Sequence, residues 1–355
     1  LLAKIYLDSI HITRDINKAI HYLTLAVNQN DPNSQYNLGC IFTNKKYDKI
    51  DINKAIHYYS LAANQNYQPA LINLGFLYLK GEYIQKDIPK AIHYFTLAAN
   101  QNNPIAQNFL GDIYYYHLKN DRANINKAIY YYSLSANQNF PDSQYKLGKI
   151  YIDCAYIVQD INKGLHYLTL AANQNHSNAQ MYLGYIYYDG EYIKQDIEKA
   201  IHYLKLSADQ NNSCSQLILG FCYYKCKNIN KANDYFLLAA DKNNPLAQYI
   251  IGREYMIGNH ININKGILYL SMSANQNFVF AQLFLGFCYL TGFFIKENSN
   301  KGIDLLTQAS LNRNVESNFL IGYFYHEGKS NKRDLKKSIN YYKEAIEQKC
   351  TKAIY

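Results

Sequence analysis

Hydrophobic and polar positions recur along the whole chain with a period near 36 residues. Within residues 104–117, Ala106, Leu110, Gly111 and Ile113 share one face of a helix at 100° per residue. A small residue takes the place of Gly111 in ten copies, at Ala3, Gly39, Gly75, Gly111, Gly148, Gly184, Gly220, Gly252, Gly286 and Gly322. Proline often starts this segment, where a helix can spare the N–H, at Pro32, Pro69, Pro104, Pro141 and Pro245. The pattern predicts an amphipathic first helix in each repeat.

A second helix is predicted around a lysine that recurs in every copy, at Lys18, Lys54, Lys90, Lys127, Lys163, Lys199, Lys231, Lys265, Lys301 and Lys337. Three residues earlier stands an Asp or Asn that can cap the helix: Asp15, Asp51, Asp87, Asn124, Asp160, Asp196, Asn228, Asn262, Asn298 and Asp334. An Asn suited to the left-handed conformation follows the helix at Asn30, Asn66, Asn102, Asn139, Asn175, Asn211, Asn243 and Asn277. The copies of the repeat differ in length between the glycine and the lysine, so the loop that tolerates insertions lies between the two helices of each repeat.

The repeat resembles the Sel-one-like branch of the tetratricopeptide superfamily. Ala106-Gln107 to Leu110-Gly111, a loop of variable length, and Lys127-Ala128 to Ser135-Ala136 carry the resemblance, which covers the whole chain. The chain departs from the family in having no Trp and in ending its repeats with Asn in place of Gly. The resemblance implies an all-α fold, a right-handed α-solenoid superhelix of tandem helix-turn-helix repeats. It also implies non-enzymatic adaptor roles in multiprotein assemblies.

Residues 1–355 are expected to form one continuous array of about ten repeats of ~36 residues. Single repeats cannot bury their own apolar faces, so stacked neighbours must stabilise them, and terminal units normally carry polar caps. Neither end shows such a cap, because Leu1 starts in mid-helix and residues 351–355 begin an unfinished helix. We therefore expect a fragment truncated inside a helix at both ends. Its uncapped ends could associate end to end, and its activity, for example a protein kinase domain, could lie outside it.

Charge and composition narrow the choice of partner. The formal charge is +9, but residues 329–352 hold +5 of it, so the rest of the surface is close to balanced. Nucleic-acid binding needs clustered basic residues, which makes an RNA-binding helical repeat the less favoured alternative despite 38 tyrosines. Seven irregularly placed cysteines favour a reducing, cytoplasmic compartment, although localisation stays open. The uncharged stretch Phe278 to Ile295 fits the repeat register, so no membrane span is expected.

A partner-binding surface is predicted on the face of the first helix opposite its packing face, which tetratricopeptide-like solenoids turn toward a concave groove. Its centre is defined by the residues two before and one after each glycine. These positions are mostly polar in the first repeats and mostly apolar from Tyr182 onward. An apolar peptide or helix of a partner protein would suit this lining; the alternative is that solenoid curvature buries the side chains against each other. The predicted residues are Phe76, Phe109, Tyr182, Tyr185, Ile218, Phe221, Ile250, Phe284, Phe287, Leu320 and Tyr323.

Catalytic and metal chemistry find little support in the sequence. Ser143 and Lys146 match a Ser-x-x-Lys spacing, but Ser143 stands at a small packing position and no second motif accompanies it. Cys222 and Cys226 are four residues apart, yet Cys222 falls on the packing face. A histidine recurs on the outer face of the second helix, spaced too widely to share an ion, at His21, His57, His93, His166 and His202. No enzymatic activity, cofactor or metal is predicted.

Overall fold

Helices account for the regular structure of the chain. The computed structural model describes residues 3, 6, 15–118, 122–258, 261–312, 314–328, 333–348 and 350. Within these residues there are nineteen α-helices and no strand. The chain divides into two compact units, residues 1–179 and 180–355. In each unit, consecutive helices pack in tandem, so the predicted all-α solenoid is confirmed.

The helices alternate in type along the chain, since even-numbered helices carry the recurring glycine and odd-numbered helices carry the recurring lysine. Unit 1 contains α1 (Ile16–Val27), α2 (Pro32–Thr43), α3 (Ile52–Asn64), α4 (Gln68–Lys80), α5 (Ile88–Asn100), α6 (Pro104–Asp112), α7 (Arg122–Ala136), α8 (Pro141–Asp153) and α9 (Ile161–Asn173). A 3₁₀ turn at Lys45–Tyr47 lies between α2 and α3, and a π-helical turn at Ile113–His117 follows α6 directly. Helix α10 (Ser177–Asp189) spans the boundary. Unit 2 continues with α11 (Ile197–Ala208), α12 (Ser213–Lys225), α13 (Ile229–Asp241), α14 (Pro245–Ile257), α15 (Ile263–Asn275), α16 (Val279–Thr291), α17 (Ser299–Leu311), α18 (Val315–Glu327) and α19 (Leu335–Glu347).

The predicted helix boundaries are confirmed at almost every repeat. In nine lysine helices the side chain of the predicted Asp or Asn accepts a hydrogen bond from the backbone N–H of the lysine, as Asp51 does from Lys54 at 3.0 Å. All eight predicted Asn residues have φ between 58° and 67°, the left-handed conformation that ends a helix. Local side-chain chemistry therefore sets both ends of the lysine helices.

Asn124 was predicted as the tenth N-cap, and this prediction is wrong. Helix α7 begins at Arg122, so Asn124 lies inside its first turn. Its side-chain amide instead donates to the backbone carbonyl of Leu118 at 2.7 Å. An N-cap lies just outside its helix, whereas two helical residues precede Asn124; in this repeat the preceding glycine helix also continues into the π-helical turn.

The recurring glycines permit close contact between a glycine helix and the lysine helix that follows it. A Cβ atom at Gly111 would lie 2.5 Å from the Tyr132 ring, and one at Gly220 would lie 2.4 Å from the Phe236 ring. Real carbon atoms do not approach so closely. The same contact recurs between Gly39 and Tyr59, Gly75 and Phe95, Gly148 and Leu168, Gly184 and Leu204, Gly252 and Leu270, Gly286 and Leu306, and Gly322 and Tyr342.

Each recurring lysine has a structural contact of its own. Its ammonium group lies over an aromatic ring of the preceding glycine helix, for example Lys163 over Tyr151 at 4.3 Å from the centroid. All ten lysines make this contact, at distances up to 5.5 Å. In most repeats a tyrosine of the lysine helix stacks on the same ring, as Tyr167 does on Tyr151. The regular basic residues therefore hold helix pairs together through cation–π contacts.

The uncharged stretch from Phe278 to Ile295 contains α16, which is 13 residues long. None of the helices in the described part of the chain has both the length and the apolar character needed to cross a bilayer.

Candidate partner-binding surface

The predicted surface is built from two positions on each glycine helix. One residue lies two before the glycine and the other lies one after it, so they are three apart and adjacent on the helix surface. We call them the minus-two and plus-one positions. The packing face is occupied by the glycine and its buried neighbours, for example Leu219 and Cys222 around Gly220. This arrangement directs the two positions away from the core, but to different extents.

In unit 2 the plus-one side chains are the more exposed set. The exposed fractions are 37% for Tyr185, 43% for Phe287 and 49% for Tyr323. Arg253 occupies the same position in α14 and is also exposed, with its guanidinium over the rings of Tyr249 and Phe284 at 5.6 and 5.7 Å. We call Tyr185, Phe287 and Tyr323 the apolar ridge. Large aromatic side chains at this exposure leave apolar surface available for contact.

The minus-two side chains of unit 2 are half-buried and form a floor beside the apolar ridge. Four of them, Ile218, Ile250, Phe284 and Leu320, pack against buried core residues. Tyr182 is also half-buried and stacks on Tyr185, with centroids 6.4 Å apart. Phe221 is at a plus-one position but is half-buried like the minus-two residues, because its ring packs edge-on against Phe236 at 5.1 Å. The sequence therefore grouped eleven residues that the structure separates into exposed and half-buried sets.

A small cleft opens between the apolar ridge residues Phe287 and Tyr323. Its volume is about 40 Å³, and Leu320 and Phe324 form its apolar walls. Glu327 lines the same cleft and adds a carboxylate to an otherwise apolar lining. The cleft could receive an aliphatic side chain with a basic group close by.

Unit 1 contains the two remaining predicted residues, Phe76 and Phe109, which contact each other. Their ring centroids are 4.4 Å apart in an edge-on arrangement, and Phe109 stacks on the buried Phe95 at 5.6 Å. Both are half-buried. For these two residues the structure fits the alternative prediction, in which the side chains are buried against each other.

A cavity of about 340 Å³ lies beside Phe76, and most of its lining was missed by sequence reasoning. Its wall includes the Tyr59 hydroxyl, which lies 3.1 Å from Thr43 Oγ1 and accepts a hydrogen bond from the Asn73 side chain at 3.1 Å. Burial raises the pKa of Tyr59 above its ordinary range, so the hydroxyl stays neutral. Lys80 and Glu82 line the cavity and pair at 3.8 Å. Thr43 and Glu82 belong to no recurring feature of the repeat, so no sequence pattern marked them.

Lys146, the basic residue at the minus-two position of α8, belongs to a polar cluster. Lys146 Nζ lies 2.7 Å from an Asp112 carboxylate oxygen, and the Tyr132 hydroxyl donates to Asp112 at 2.7 Å. The side chains of Lys146 and Asp112 are 21% and 18% exposed. Lys149 lines a cavity of about 270 Å³ with Tyr145 and neighbouring tyrosines. The Lys146 charge is thus neutralised within the protein, which reduces the basic character of this surface.

The other candidate chemistries lie apart from the predicted surface. Ser143 is fully buried, as its packing position predicts, and its hydroxyl oxygen lies 3.0 Å from Asn108 Oδ1 and 2.8 Å from Ser135 Oγ. Cys222 and Cys288 are also fully buried, and burial raises their pKa values to about 12 and about 11. No cluster of metal ligands occurs in the described residues. The recurring histidines are exposed, and each packs edge-on against the tyrosine that follows it.

Comparisons with known proteins place the repeat in a family. The model of the Sel1 repeat matches residues 1–31, 32–67, 68–103, 104–140, 141–176, 177–212, 227–244, 245–278, 279–314 and 315–350, leaving out residues 213–226. A protective antigen from uropathogenic Escherichia coli with an SLR fold is 24% identical, with 99% of this chain and 76% of that chain covered and a TM-score of 0.71. A Sel1 repeat protein from Oxalobacter formigenes is 25% identical, with 85% and 89% covered and a TM-score of 0.67. A search of curated proteins found no match.

Proposed function

Since the chain belongs to the Sel1 repeat family, whose members are commonly scaffolds for protein interactions, we propose that it is a non-enzymatic scaffold. Its occupant is a peptide or helix of a partner protein, bound along the apolar ridge of unit 2. Burying a fully exposed large apolar side chain contributes about 1.5–3 kcal/mol. Because the three ridge side chains are 37–49% exposed, each can contribute about 1 kcal/mol to binding. The exposure of Tyr185, Phe287 and Tyr323 at the same position of three of the five glycine helices in unit 2 is the observation that supports the proposal.

The chemistry of the ridge suggests what the peptide carries. An amphipathic helix or an extended peptide presents several apolar anchors along its length, and the aromatic side chains of α10, α16 and α18 would each contact one of them. Arg253 interrupts the ridge and favours an acidic side chain on the peptide, whereas Glu327 favours a basic one near the cleft. In unit 1, the cavity beside Phe76 provides a separate place for an apolar anchor.

RNA binding has less support than peptide binding. Of the three basic residues at the predicted positions, Lys146 is paired with Asp112, and Arg253 lies over aromatic rings. The ten recurring lysines also lie over aromatic rings of the packed helices. Binding to RNA that weakened steeply with salt would favour this alternative.

A displayed peptide library selected on the wild-type chain tests the proposal. The affinity of a selected peptide is then measured by fluorescence polarisation against the variant Tyr185→Ser, Phe287→Ser, Tyr323→Ser. Loss of three anchors at about 1 kcal/mol each should weaken binding at least about 100-fold. We avoid Phe221 and Phe284 because they pack on the core, where Ser would also affect folding.

The matched control replaces three exposed leucines on lysine helices of the same unit: Leu206→Ser, Leu268→Ser and Leu311→Ser. These side chains are 40%, 57% and 80% exposed, so the change in surface apolarity is comparable. This variant should bind the peptide as the wild type does. Equal losses in both triple variants, or a selection that yields no binder, would contradict the proposal.

A further inference from the structure

A row of paired glutamine side chains runs through the repeats. A glutamine four residues before the recurring glycine accepts a hydrogen bond at its Oε1 from the side-chain amide of a second glutamine, at the end of the next lysine helix. The distances are 2.7–2.8 Å in five repeats: Gln65 to Gln35, Gln138 to Gln107, Gln174 to Gln144, Gln210 to Gln180 and Gln276 to Gln248. The accepting glutamines are buried, so the pairing satisfies oxygens that have lost contact with water.

The row is interrupted at Gln216 in α12. The position that supplies the donor amide in the other repeats is occupied here by Lys242, whose side chain is exposed. Gln216 is only 5% exposed, and its Oε1 is buried without a hydrogen-bond partner among the described residues. A buried acceptor of this kind is unfavourable unless some group donates to it.

Gln216 also lines a cavity of about 410 Å³, together with residues of α11, α12 and α13. In four other repeats the donor amide also approaches the carbonyl four residues before it, as Gln210 approaches Leu206 at 3.3 Å. The corresponding residue before Lys242 is Leu238, and it lines this cavity with Gln216. Both residues that would receive the absent amide therefore border the same space.

The remaining lining has no net charge. Two lysines, Lys205 and Lys231, and two aspartates, Asp209 and Asp234, border the cavity. A neutral polar group flanked by both signs of charge suits this lining better than an anion or a cation does. The rings of Tyr223 and Tyr235, stacked at 5.4 Å, provide an apolar side.

We propose that this cavity is a binding site for a primary carboxamide, the side chain of a glutamine supplied from outside the chain. The external amide donates to Gln216 Oε1, as the internal glutamine does in the five paired repeats. The glutamine can come from a partner peptide or be the free amino acid, because the recognised group is the same. The site uses none of the ridge residues and stands independently of the peptide scaffold.

The test uses N-acetyl-L-glutamine N-methylamide and free L-glutamine as probes, with binding followed by saturation-transfer difference NMR. The wild type should bind the capped glutamine in the millimolar range, at least about 10-fold more tightly than N-acetyl-L-glutamate N-methylamide. Binding of the capped probe alone identifies a peptide as the source, whereas equal binding of free glutamine shows that the amino acid suffices. Absence of binding by all probes would overturn the proposal and leave water as the group that meets Gln216.

The variant Lys242→Gln provides the decisive comparison. It restores the internal donor, so it should unfold at a higher temperature than the wild type and bind the capped glutamine at least about 10-fold more weakly. Lys242→Met removes the charge without restoring the donor and should bind as the wild type does. Equal binding by Lys242→Gln and Lys242→Met would refute the assignment. The ridge triple variant should leave this binding unchanged, so the two proposals can fail separately.

Discussion

Replacing Gly220 with Ala tests whether the close contact between α12 and α13 makes this substitution destabilising. Ala is favoured over Gly inside a helix by about 1 kcal/mol, so without neighbours Gly220→Ala would stabilise α12. The new methyl group, however, would lie 2.4 Å from two ring carbons of Phe236. That ring is 3% exposed and has Phe221 at 5.1 Å. Overpacking of this kind costs about 1–3 kcal/mol, so we expect a net loss of up to about 2 kcal/mol.

The contact can be isolated by repeating the substitution in a Phe236→Ala background. That background variant alone should lose about 3–5 kcal/mol, because a buried ring is removed. With the ring absent, Gly220→Ala should become stabilising by up to about 1 kcal/mol, since only helix propensity remains. The two substitutions should therefore show a favourable coupling of about 1–3 kcal/mol.

Urea unfolding measures these differences through far-UV circular dichroism and tyrosine fluorescence, the latter because the chain has no Trp. Two probes are needed because repeat arrays can unfold in parts. If Gly220→Ala stabilises the protein in both backgrounds, the contact between α12 and α13 is not as close as described. The reasoning applied to all the recurring glycines would then fail.

Three further predictions follow from particular contacts. Asp160→Ala should lower the free energy of unfolding by about 1 kcal/mol, because it removes a helix cap. The control Asp153→Ala changes an exposed residue at the C-terminus of α8 that caps no helix, so its urea midpoint should fall less than that of Asp160→Ala. Iodoacetamide at pH 8 should label the exposed Cys214 and Cys226 well before the buried Cys222 and Cys288, whose pKa values are raised by burial. Peptide mass mapping measures the order of labelling, and the reverse order would contradict the prediction. The hydrogen bond from His176 lowers the pKa of Asp142, so its stabilisation is present above the ordinary Asp pKa and is lost as the pH falls. Asp142→Asn should thus have a lower urea midpoint than the wild type at pH 7, and this difference should shrink steadily as the pH falls below the ordinary Asp pKa; a difference that does not change over that range would point to another cause.

Helix ends could be predicted from the sequence because they depend on nearby side chains. The Asp at a cap and the lysine N–H that it binds are three residues apart, so the pattern alone contains the contact. Asn124 has the same local pattern but is not a cap, because α7 begins two residues before it, at Arg122. The π-helical turn that precedes this connection has no marker in the repeat. A pattern of neighbouring residues therefore predicts the capping contact but not how many residues the helix adds before it.

The surface was predicted less completely because exposure depends on neighbouring helices. Helical periodicity placed Phe221 and Phe287 at the same repeat position, yet Phe221 packs on the ring of Phe236 and Phe287 remains 43% exposed. The residue of the next lysine helix that packs against the preceding glycine also differs: Phe236 lies against Gly220, and Leu306 lies against Gly286. The cavity at Gln216 had a usable signal, since Lys242 replaces a glutamine at an aligned position. Its meaning depends on a pairing across about 30 residues, which only the structure shows.

Recurrence along this chain indicates packing, whereas the positions of the predicted surface vary between repeats. The glycine, the lysine and the tyrosine that recur in the repeats each have a defined contact between adjacent helices, so ten lysines need no nucleic acid to explain them. The plus-one position, by contrast, changes from Asp112 to Lys149 in unit 1 and from Arg253 to Phe287 in unit 2. Some of these side chains are held by contacts inside the protein, as Asp112 is by Tyr132 and Lys146, whereas Phe287 is 43% exposed. Under the proposed function, the choice of partner would therefore depend on the plus-one residues that internal packing leaves exposed.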